Sequence, residues 1–285
     1  MTTPQSPHSD VISVDREGHI ATLWLDRPEK LNAFAPDFWT DLPAIIEHLG
    51  DDPEVRVIVI QGRGKAFTAG IDLVAFGPAM MGGGGLESDG SPSTSPVAMR
   101  KDLYRSVKRM QHTFTSIADC PKPVIAAVHG YCLGAGLDLI TACDIRFGSA
   151  DAVFSVKETK IAMVADVGTM QRLPKIVDPG RVAELVYTGK EFDAAEAYDM
   201  GLITRVCADA EDVQKQAHAL AEEIATNSPL VVQGAKSVLK AGENRTVEEA
   251  LDYVALWNAS FITSNDFTEA IQAFIEKRPP RFTGT

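Results

Sequence analysis

The chain has 285 residues, 45% of them hydrophobic, and a formal net charge of −12 at pH 7. This length and composition predict one large domain, or one domain with a helical appendage. The acidic charge argues against a nucleic-acid partner. No apolar run in the sequence reaches the roughly 18 residues that a membrane span needs, so no membrane partner is predicted.

The termini and the cysteines indicate a cytoplasmic protein. The first ten residues lack the basic and apolar regions of a secretory signal, and the ending FTGT carries no recognisable peroxisomal or reticulum-retention address. The four cysteines form no CxxC pair, and most lie in or beside apolar runs, where cysteine acts as a small hydrophobe. The six histidines are scattered, so no metal site is predicted.

The first half of the chain reads as strands separated by helices. Residues 1–10 are expected to form a disordered tail, followed by strands at 11–14 and 20–25 and a helix beginning near Pro36. Short continuous apolar runs end at Gly62 and Val128, and a weaker one lies at 145–147. Such runs are typical of strands buried on both faces of a sheet, and the intervening helical patterns favour βαβ units.

The segment 76–97 differs in composition from its surroundings. It is rich in Gly, Ser and Pro and has too little apolar surface to offset the entropy of ordering. We expect a flexible surface loop. The alternative is a lid over a ligand, because such loops often border binding sites.

After Pro174 the pattern becomes mainly helical. Asp193 followed by Glu196 is a plausible helix start, and further helices are predicted near 211–226, 229–241, 246–263 and 266–276. The sequence therefore predicts a core at 11–205 and a helical C-terminal region at 206–285.

The segment GYCLGAGLDL contains a glycine-rich turn after an apolar strand. Gly134 and Gly136 give a GxG spacing, but Leu139 occupies the third position of the dinucleotide-binding fingerprint, and no acid follows at the required distance. The better reading is a helix N-terminus whose free N–H groups point at an acceptor. A tight packing turn is the alternative.

A second loop, KAFTAGIDL, follows the strand that ends at Gly62. It contains Ala69 and Gly70, small residues that expose backbone N–H groups. Two such loops at neighbouring strand ends can each give one N–H to a carbonyl oxygen that gains negative charge. The sequence thus predicts an oxyanion hole.

Three acids accompany these loops. Glu158 and Asp166 lie eight residues apart, and Asp138 precedes Glu158 by twenty. Carboxylates beside a stabilised anion are suited to moving protons. Alternatively, Asp166 is a helix-entry acid that binds the N–H groups of Gly168 and Thr169 and has no catalytic part.

These segments resemble the crotonase superfamily, also called the enoyl-CoA hydratase/isomerase family. The matching stretches include LDRPEKLNAF, VIVIQGRGKAFTAGIDL, PKPVIAAVHGYCLGAGLDL and VGTMQRLPKIV. The resemblance implies an α/β fold, a spiral of ββα units with a helical C-terminal trimerisation region. It also implies acyl-CoA thioester substrates, a homotrimer or a dimer of trimers, and no cofactor, since coenzyme A is part of the substrate.

The resemblance also assigns residues. The oxyanion-hole donors are implied to be the amides of Ile71 and Ala135. Residues implied to bind the substrate or its coenzyme A are Arg27, Lys65, Ala69, Gly70, Gly134 and Lys277, the last of these reaching a neighbouring subunit.

The three acids indicate which reaction of the family to expect. Asp138 and Glu158 occupy the places of two hydratase glutamates, and Asp166 stands where a hydratase has glycine. This pattern resembles the dienoyl-CoA isomerases, which convert 3,5-dienoyl-CoA to 2,4-dienoyl-CoA. Protons move at C2 and C6, so Glu158 and Asp166 are expected to act at opposite ends of the diene, with Asp138 tuning them. The alternatives are a 2-enoyl-CoA hydratase and a non-catalytic CoA- or RNA-binding scaffold.

Overall fold

The computed structural model describes residues 7–80 and 95–285. Its strands are β1 (Ile12–Glu17), β2 (Ile20–Leu25), β3 (Val57–Gly62), β4 (Val124–Val128), β5 (Tyr131–Leu133), β6 (Ile145–Ser149), β7 (Val153–Ser155), β8 (Phe192–Asp193) and β9 (Arg205–Cys207). Its helices are α1 (Phe38–Asp51), α2 (Leu73–Met80), α3 (Pro96–Asp119), α4 (Ala135–Ala142), α5 (Thr169–Arg172), α6 (Pro179–Thr188), α7 (Ala194–Asp199), α8 (Ala210–Ala225), α9 (Pro229–Gly242), α10 (Val247–Phe261) and α11 (Asn265–Glu276).

The main sheet has the strand order β1-β2-β3-β4-β6-β9. All neighbouring strands pair in parallel except β1 and β2. Every residue of β3 and β4 is buried, because α8 covers one face of the sheet and the larger apolar core, which includes α1, covers the other. The predicted strands ending at Gly62 and Val128 are therefore confirmed.

A second sheet, β5-β7-β8, lies beside the main one. From β4 to β7, successive strands alternate between the sheets, with β4 and β6 in the first and β5 and β7 in the second. This alternation builds the predicted crotonase-like spiral. Sequence reasoning missed the second sheet because its strands have only two or three residues.

The predicted loop at 76–97 is wrong at both ends. Helix α2 continues to Met80, and α3 begins at Pro96, a residue suited to the first turn of a helix. Glycine and proline within α2 concealed it from sequence reasoning, because both residues disfavour helix interiors. Residues 81–94 of the predicted loop or lid, and residues 1–6 of the predicted tail, lie outside the described residues.

The predicted C-terminal helices are confirmed as α8 to α11. The start predicted at Asp193 is a capping box, in which Asp193 accepts from the amide of Glu196 and the Glu196 side chain accepts in return. Helix α8 packs on the main sheet, and the division predicted between residues 205 and 206 falls inside β9. That division stays a prediction.

Asn32 joins the chain before α1 to the loop after β3. Its Oδ1 accepts from the Arg27 amide at 2.8 Å, and its Nδ2 donates to the carbonyls of Arg63 at 2.9 Å and Ala66 at 2.8 Å. The residue is 3% exposed, so water cannot replace these bonds. Asn32 therefore holds the loop that carries the predicted oxyanion donor.

Replacing Asn32 with alanine leaves several buried main-chain groups without partners. We expect the variant Asn32→Ala to lower the free energy of unfolding by about 2–4 kcal/mol. Urea titration followed by circular dichroism measures this change. The exposed Asn244→Ala serves as control and should stay within about 0.5 kcal/mol of the parent protein. Equal stability of the two variants would contradict the role given to Asn32.

Candidate active site

Two main-chain segments pair in parallel where the oxyanion hole was predicted. Thr68 bridges Cys132, with the Thr68 amide donating to the Tyr131 carbonyl at 2.8 Å and the Leu133 amide donating to the Thr68 carbonyl at 3.1 Å. Three residues further along each segment stand Ile71 and Ala135. Equal offsets from a parallel bridge bring these two residues close together.

The amides of Ile71 and Ala135 are available to a ligand. Within residues 7–80 and 95–285, neither amide donates to a main-chain or side-chain acceptor. Ala135 opens α4, where the first N–H groups of a helix have no internal partner and carry partial positive charge. The two loops therefore carry two amides that can bind a ligand, and their binding to a single oxygen stays a prediction.

Two glycines allow this close approach. Gly70 has φ of +88°, and a Cβ there would lie 2.6 Å from the Leu133 carbonyl oxygen and 3.6 Å from the Ala135 nitrogen. Gly134 has φ of +54°, and a Cβ there would lie 3.4 Å from Oε1 of Glu158. Both predicted glycines, with Ala69 beside them, thus lie at the paired loops, and Gly134 also lies against the Glu158 carboxylate.

Glu158 is a buried acid at the start of a short 3₁₀ helix, Glu158–Ile161. It is 7% exposed, and its Oε2 has no hydrogen-bond partner among the described residues. Burial, followed by the negative charge of Asp138, raises the pKa of Glu158 to about 7. A carboxylate with this pKa exchanges protons readily near neutral pH.

Asp138 lies within α4 and is fully buried. Its Oδ1 accepts the Thr169 amide at 2.5 Å, so it caps the N-terminus of α5 across 31 residues of sequence. Burial raises the pKa of Asp138 to about 6, although the Thr169 amide and the Arg172 charge oppose that rise. The alternative in which Asp166 binds the Thr169 amide is wrong, since Asp138 occupies it.

Asp166 lies between the 3₁₀ helix and α5 and is half-buried. Burial raises its pKa, while a hydrogen bond from its own amide lowers it. The negative charge of Asp166 also raises the pKa of both Glu158 and Asp138. Asp166 lies in the segment that runs from the 3₁₀ helix of Glu158 to α5, whose first amide binds Asp138. The convergence of the three carboxyl groups on one substrate stays a prediction.

Sequence reasoning missed the residues that hold the segment carrying Asp166, between the 3₁₀ helix and α5. Besides Thr169, these are Gln111, which donates to the Asp166 carbonyl at 2.7 Å, and Arg172, which donates to Thr115 Oγ1 at 3.1 Å. Gln111 lies 55 residues before its partner, and no local pattern links the two. Only the packing of α3 against the segment reveals the contact.

The predicted coenzyme A cations lie in different places. Arg27 donates to the Ala33 carbonyl at 2.7 Å and pairs with Asp72 at 3.2 Å, beside the oxyanion loop. Lys65 is exposed in that loop.

Lys277 ends α11 and is exposed. Downstream of it, the Phe282 carbonyl accepts from Arg56, which precedes β3. This anchor lies at the amino edge of the sheet, opposite the oxyanion loops. The part of Lys277 in binding coenzyme A stays a prediction.

A cavity of about 1030 Å³ lies between α3, α5 and α9. Its walls include Gln111, Val167, Gly168 and Lys236, and among the described residues they do not include the three acids. Through Val167 and Gly168, the cavity borders the segment that carries Asp166.

No group of three or more His, Cys, Asp or Glu residues in the described ranges is arranged to hold a metal ion. None of the helices searched there is long and apolar enough to cross a membrane.

Comparison with known proteins agrees with this geometry. The family model described as enoyl-CoA hydratase/isomerase matches residues 15–285. The peroxisomal Delta(3,5)-Delta(2,4)-dienoyl-CoA isomerase of Arabidopsis thaliana is 40% identical, with 99% of each chain covered. The mitochondrial enzyme of that name from Mus musculus is 41% identical over 91% of this chain and 77% of the relative.

A solved structure shares the fold. The crystal structure of an enoyl-CoA hydratase from Bacillus anthracis superimposes with a TM-score of 0.85 at 30% identity, covering 97% of this chain and all of the other. The fold alone therefore does not distinguish a hydratase from an isomerase.

The names of the relatives correct one prediction. The cytoplasmic location expected from the sequence is contradicted, because the similar enzymes are peroxisomal or mitochondrial proteins. Unpaired cysteines indicate a reducing environment. They do not distinguish one reducing compartment from another.

The raised pKa of Glu158 predicts a pH-dependent stability. Its folded pKa of about 7 exceeds the ordinary value of 4.5, so the wild-type protein loses stability as pH rises from about 4.5 through about 7. We expect Glu158→Gln to be more stable than the parent above pH 7, by on the order of 2 kcal/mol, with this advantage disappearing below about pH 4.5.

Denaturant melts from pH 4 to pH 8.5 measure the difference. The exposed Glu222→Gln is the control and should show no such pH-dependent gap. A constant difference between Glu158→Gln and the parent at all pH values would contradict the raised pKa.

Proposed function

The chain belongs to the enoyl-CoA hydratase/isomerase family, and on that premise we propose that it isomerises 3,5-dienoyl-CoA thioesters to 2,4-dienoyl-CoA thioesters. The observation that carries the proposal is a pair of amides, from Ile71 and Ala135, that have no acceptor among the described residues, together with the buried acids Asp138 and Glu158 and the half-buried Asp166. Relatives with about 40% identity over most of the chain carry this activity in their names.

The two amides bind the thioester oxygen. Removal of a C2 proton places negative charge on that oxygen, and donors already aimed at it stabilise the dienolate without reorganisation. The N-terminus of α4 adds partial positive charge at Ala135. The thioester itself acidifies the C2 proton, so the proposed reaction draws on no metal or redox cofactor.

Glu158 acts as the base at C2. Its carboxylate takes one proton, and the released electron pair is delocalised over the thioester oxygen and both double bonds. Its pKa of about 7 makes it a stronger base than an exposed glutamate, while a large fraction is still ionised at neutral pH. The Gly134 contact keeps this carboxylate close to the oxyanion donors.

Asp166 acts as the acid at C6. It gives one proton to the far end of the dienolate, so the new double bonds lie at C2–C3 and C4–C5 and the atoms balance. Partial burial raises its pKa, which favours the protonated form that this step needs. Asp138 serves as a positioning residue, because it binds the Thr169 amide and raises the pKa of Glu158.

The hydratase alternative is less well supported. A hydratase needs two carboxylates that orient one water, but here one oxygen of Asp138 already accepts the Thr169 amide. Asp166, which a hydratase does not use, lies in the segment that follows the 3₁₀ helix of Glu158. Both features favour proton transfer along an extended acyl chain.

We further propose that the chain assembles as a homotrimer or a dimer of trimers. Helix α11 exposes Phe267, Ile271, Phe274 and Ile275 along one face. No side chain of α10 is buried within the described chain. Exposed apolar surface of this size on neighbouring helices is typical of an interface. In such an assembly Lys277 reaches the coenzyme A phosphates of another subunit, consistent with its exposure at the end of α11.

Assembly is tested by mass. We expect the protein to elute at about three or six times the 30.7 kDa chain mass, because association removes the α11 face from water. Phe274→Glu should shift it towards the monomer, since a buried unpaired charge is costly. Light scattering coupled to gel filtration measures this.

The control for that experiment is Tyr187→Glu on α6. Tyr187 is 76% exposed and Phe274 is 84% exposed, so the two substitutions place a charge at similarly open positions. Dissociation by both variants, or by neither, would contradict the proposed interface.

Activity is tested with two substrates. The purified protein should convert 3,5-dienoyl-CoA to a product with the ultraviolet absorbance of a 2,4-dienoyl thioester. Asp166→Asn should lower kcat by about 10²–10⁴-fold, because it removes the proton donor for C6. Asp199→Asn, an exposed aspartate paired with Arg181, should keep the parent rate.

A second assay, with crotonyl-CoA as substrate, tests the hydratase alternative. Fast loss of its enoyl absorbance, with no conversion of the dienoyl substrate, would identify a hydratase. Binding of acyl-CoA without turnover of either substrate would indicate a non-catalytic scaffold.

A further inference from the structure

The segment that carries Asp166 depends on side chains from outside it. Within the described ranges, the amides of residues 164–167 donate to no backbone carbonyl, so main-chain pairing does not fix their path. Asp138 binds the amide of Thr169 at the end of the segment. Gln111 binds the carbonyl of Asp166 itself, with its Nε2 2.7 Å from that oxygen.

We propose that Gln111 is a positioning residue that aims the Asp166 carboxyl group at the distal end of the substrate. This inference rests on the proposed isomerase function and deepens it. Among the described residues, Gln111 is the only side chain that hydrogen bonds to the Asp166 main chain. A fixed carbonyl restricts rotation of the peptide next to the Asp166 Cα, and therefore the direction of its side chain.

Lys108 orients the side-chain amide of Gln111. Its Nζ donates to Oε1 of Gln111 at 2.9 Å, three residues earlier on α3. This contact requires the amide oxygen to face Lys108 and the amide nitrogen to face Asp166. A cation on the oxygen also polarises the amide and strengthens its N–H as a donor. The hydrogen bond from Lys108 to the Gln111 oxygen and the one from the Gln111 nitrogen to the Asp166 carbonyl therefore require the same orientation of the Gln111 amide.

The surroundings of Gln111 keep its loss from disturbing the fold. The side chain is half-buried and lines the cavity of about 1030 Å³, outside the fully buried core. A substitution there changes a side chain at the cavity wall and removes none of the core packing. The expected consequence is a loosened acid, with the folded state retained.

The size of the effect follows from geometry. Misplacing a reacting group by about 1 Å costs roughly 10²-fold in rate. Loss of one hydrogen bond loosens the segment without removing the acid, so we expect Gln111→Met to lower kcat by about 10-fold. Binding of the thioester uses the oxyanion amides on other loops, so KM should change by less than about 3-fold.

A double-mutant cycle tests whether Gln111 acts through Asp166. The rates of the parent, Gln111→Met, Asp166→Asn and the double variant are compared with 3,5-dienoyl-CoA. If Gln111 only aims the acid, adding Gln111→Met to Asp166→Asn should change the rate by less than about 2-fold, because there is no proton donor left to aim. A general structural role predicts the same loss of about 10-fold in both backgrounds.

Gln216→Met is the matched control. Gln216 is a half-buried glutamine within α8 whose Nε2 also makes side-chain hydrogen bonds, to Asp212, on the other face of the sheet. Its substitution should leave kcat unchanged. The melting temperatures of Gln111→Met and Gln216→Met should agree within a few degrees. A loss of rate in Gln111→Met would then reflect misplacement of Asp166 and not unfolding.

The outcomes distinguish the two proposals. A parent protein that does not isomerise the dienoyl substrate overturns the proposed function. An active parent with an unaffected Gln111→Met variant, or with additive losses in the cycle, overturns the role of Gln111 alone. A loss of rate that Gln111→Met causes only when Asp166 is present supports the role of Gln111.

Discussion

The site depends on the parallel pairing of two main-chain segments, which meet at Thr68 and Cys132. This pairing brings the ends of two loops side by side, and the next amides without an acceptor among the described residues are those of Ile71 and Ala135. Main-chain donors held in this way need no reorientation when charge develops. The side chains that do chemistry are arranged around this fixed pair of donors.

Burial gives the acids their properties. Glu158 and Asp138 lie where water cannot stabilise their charged forms, and burial is the largest cause of the rise in pKa of each. Asp138 accepts the Thr169 amide through Oδ1, and each acid has one oxygen, Oδ2 of Asp138 and Oε2 of Glu158, without a partner among the described residues. We propose that Asp138, held by this bond, positions its neighbours and that Glu158 transfers the proton.

Assignment within the family depends on position more than on fold. A hydratase shares this architecture closely, so the spiral of ββα units does not decide the reaction. We propose that the difference lies in Asp166, on a short segment without regular structure that tertiary contacts hold in place. Its neighbours Ala165 and Val167 belong to the core, so packing also fixes this segment.

Much of the fold and the site was predictable because the signals are local. Continuous apolar runs marked β3 and β4, and Asp193 with Glu196 marked the start of α7. The second sheet escaped prediction because very short strands carry no periodicity. Helix α2 escaped because its glycine and proline contradict the usual helical composition.

The sequence by itself determined the chemical inventory: three acids, two glycine-bearing loops and a family resemblance that spans most of the chain. Tertiary structure decided what each group contacts. It gave the Thr169 amide to Asp138 instead of Asp166, joined Arg56 to the Phe282 carbonyl and brought Gln111 to the Asp166 carbonyl. The reason is physical, since hydrogen bonds between residues far apart in sequence depend on packing and leave no mark in local composition or spacing.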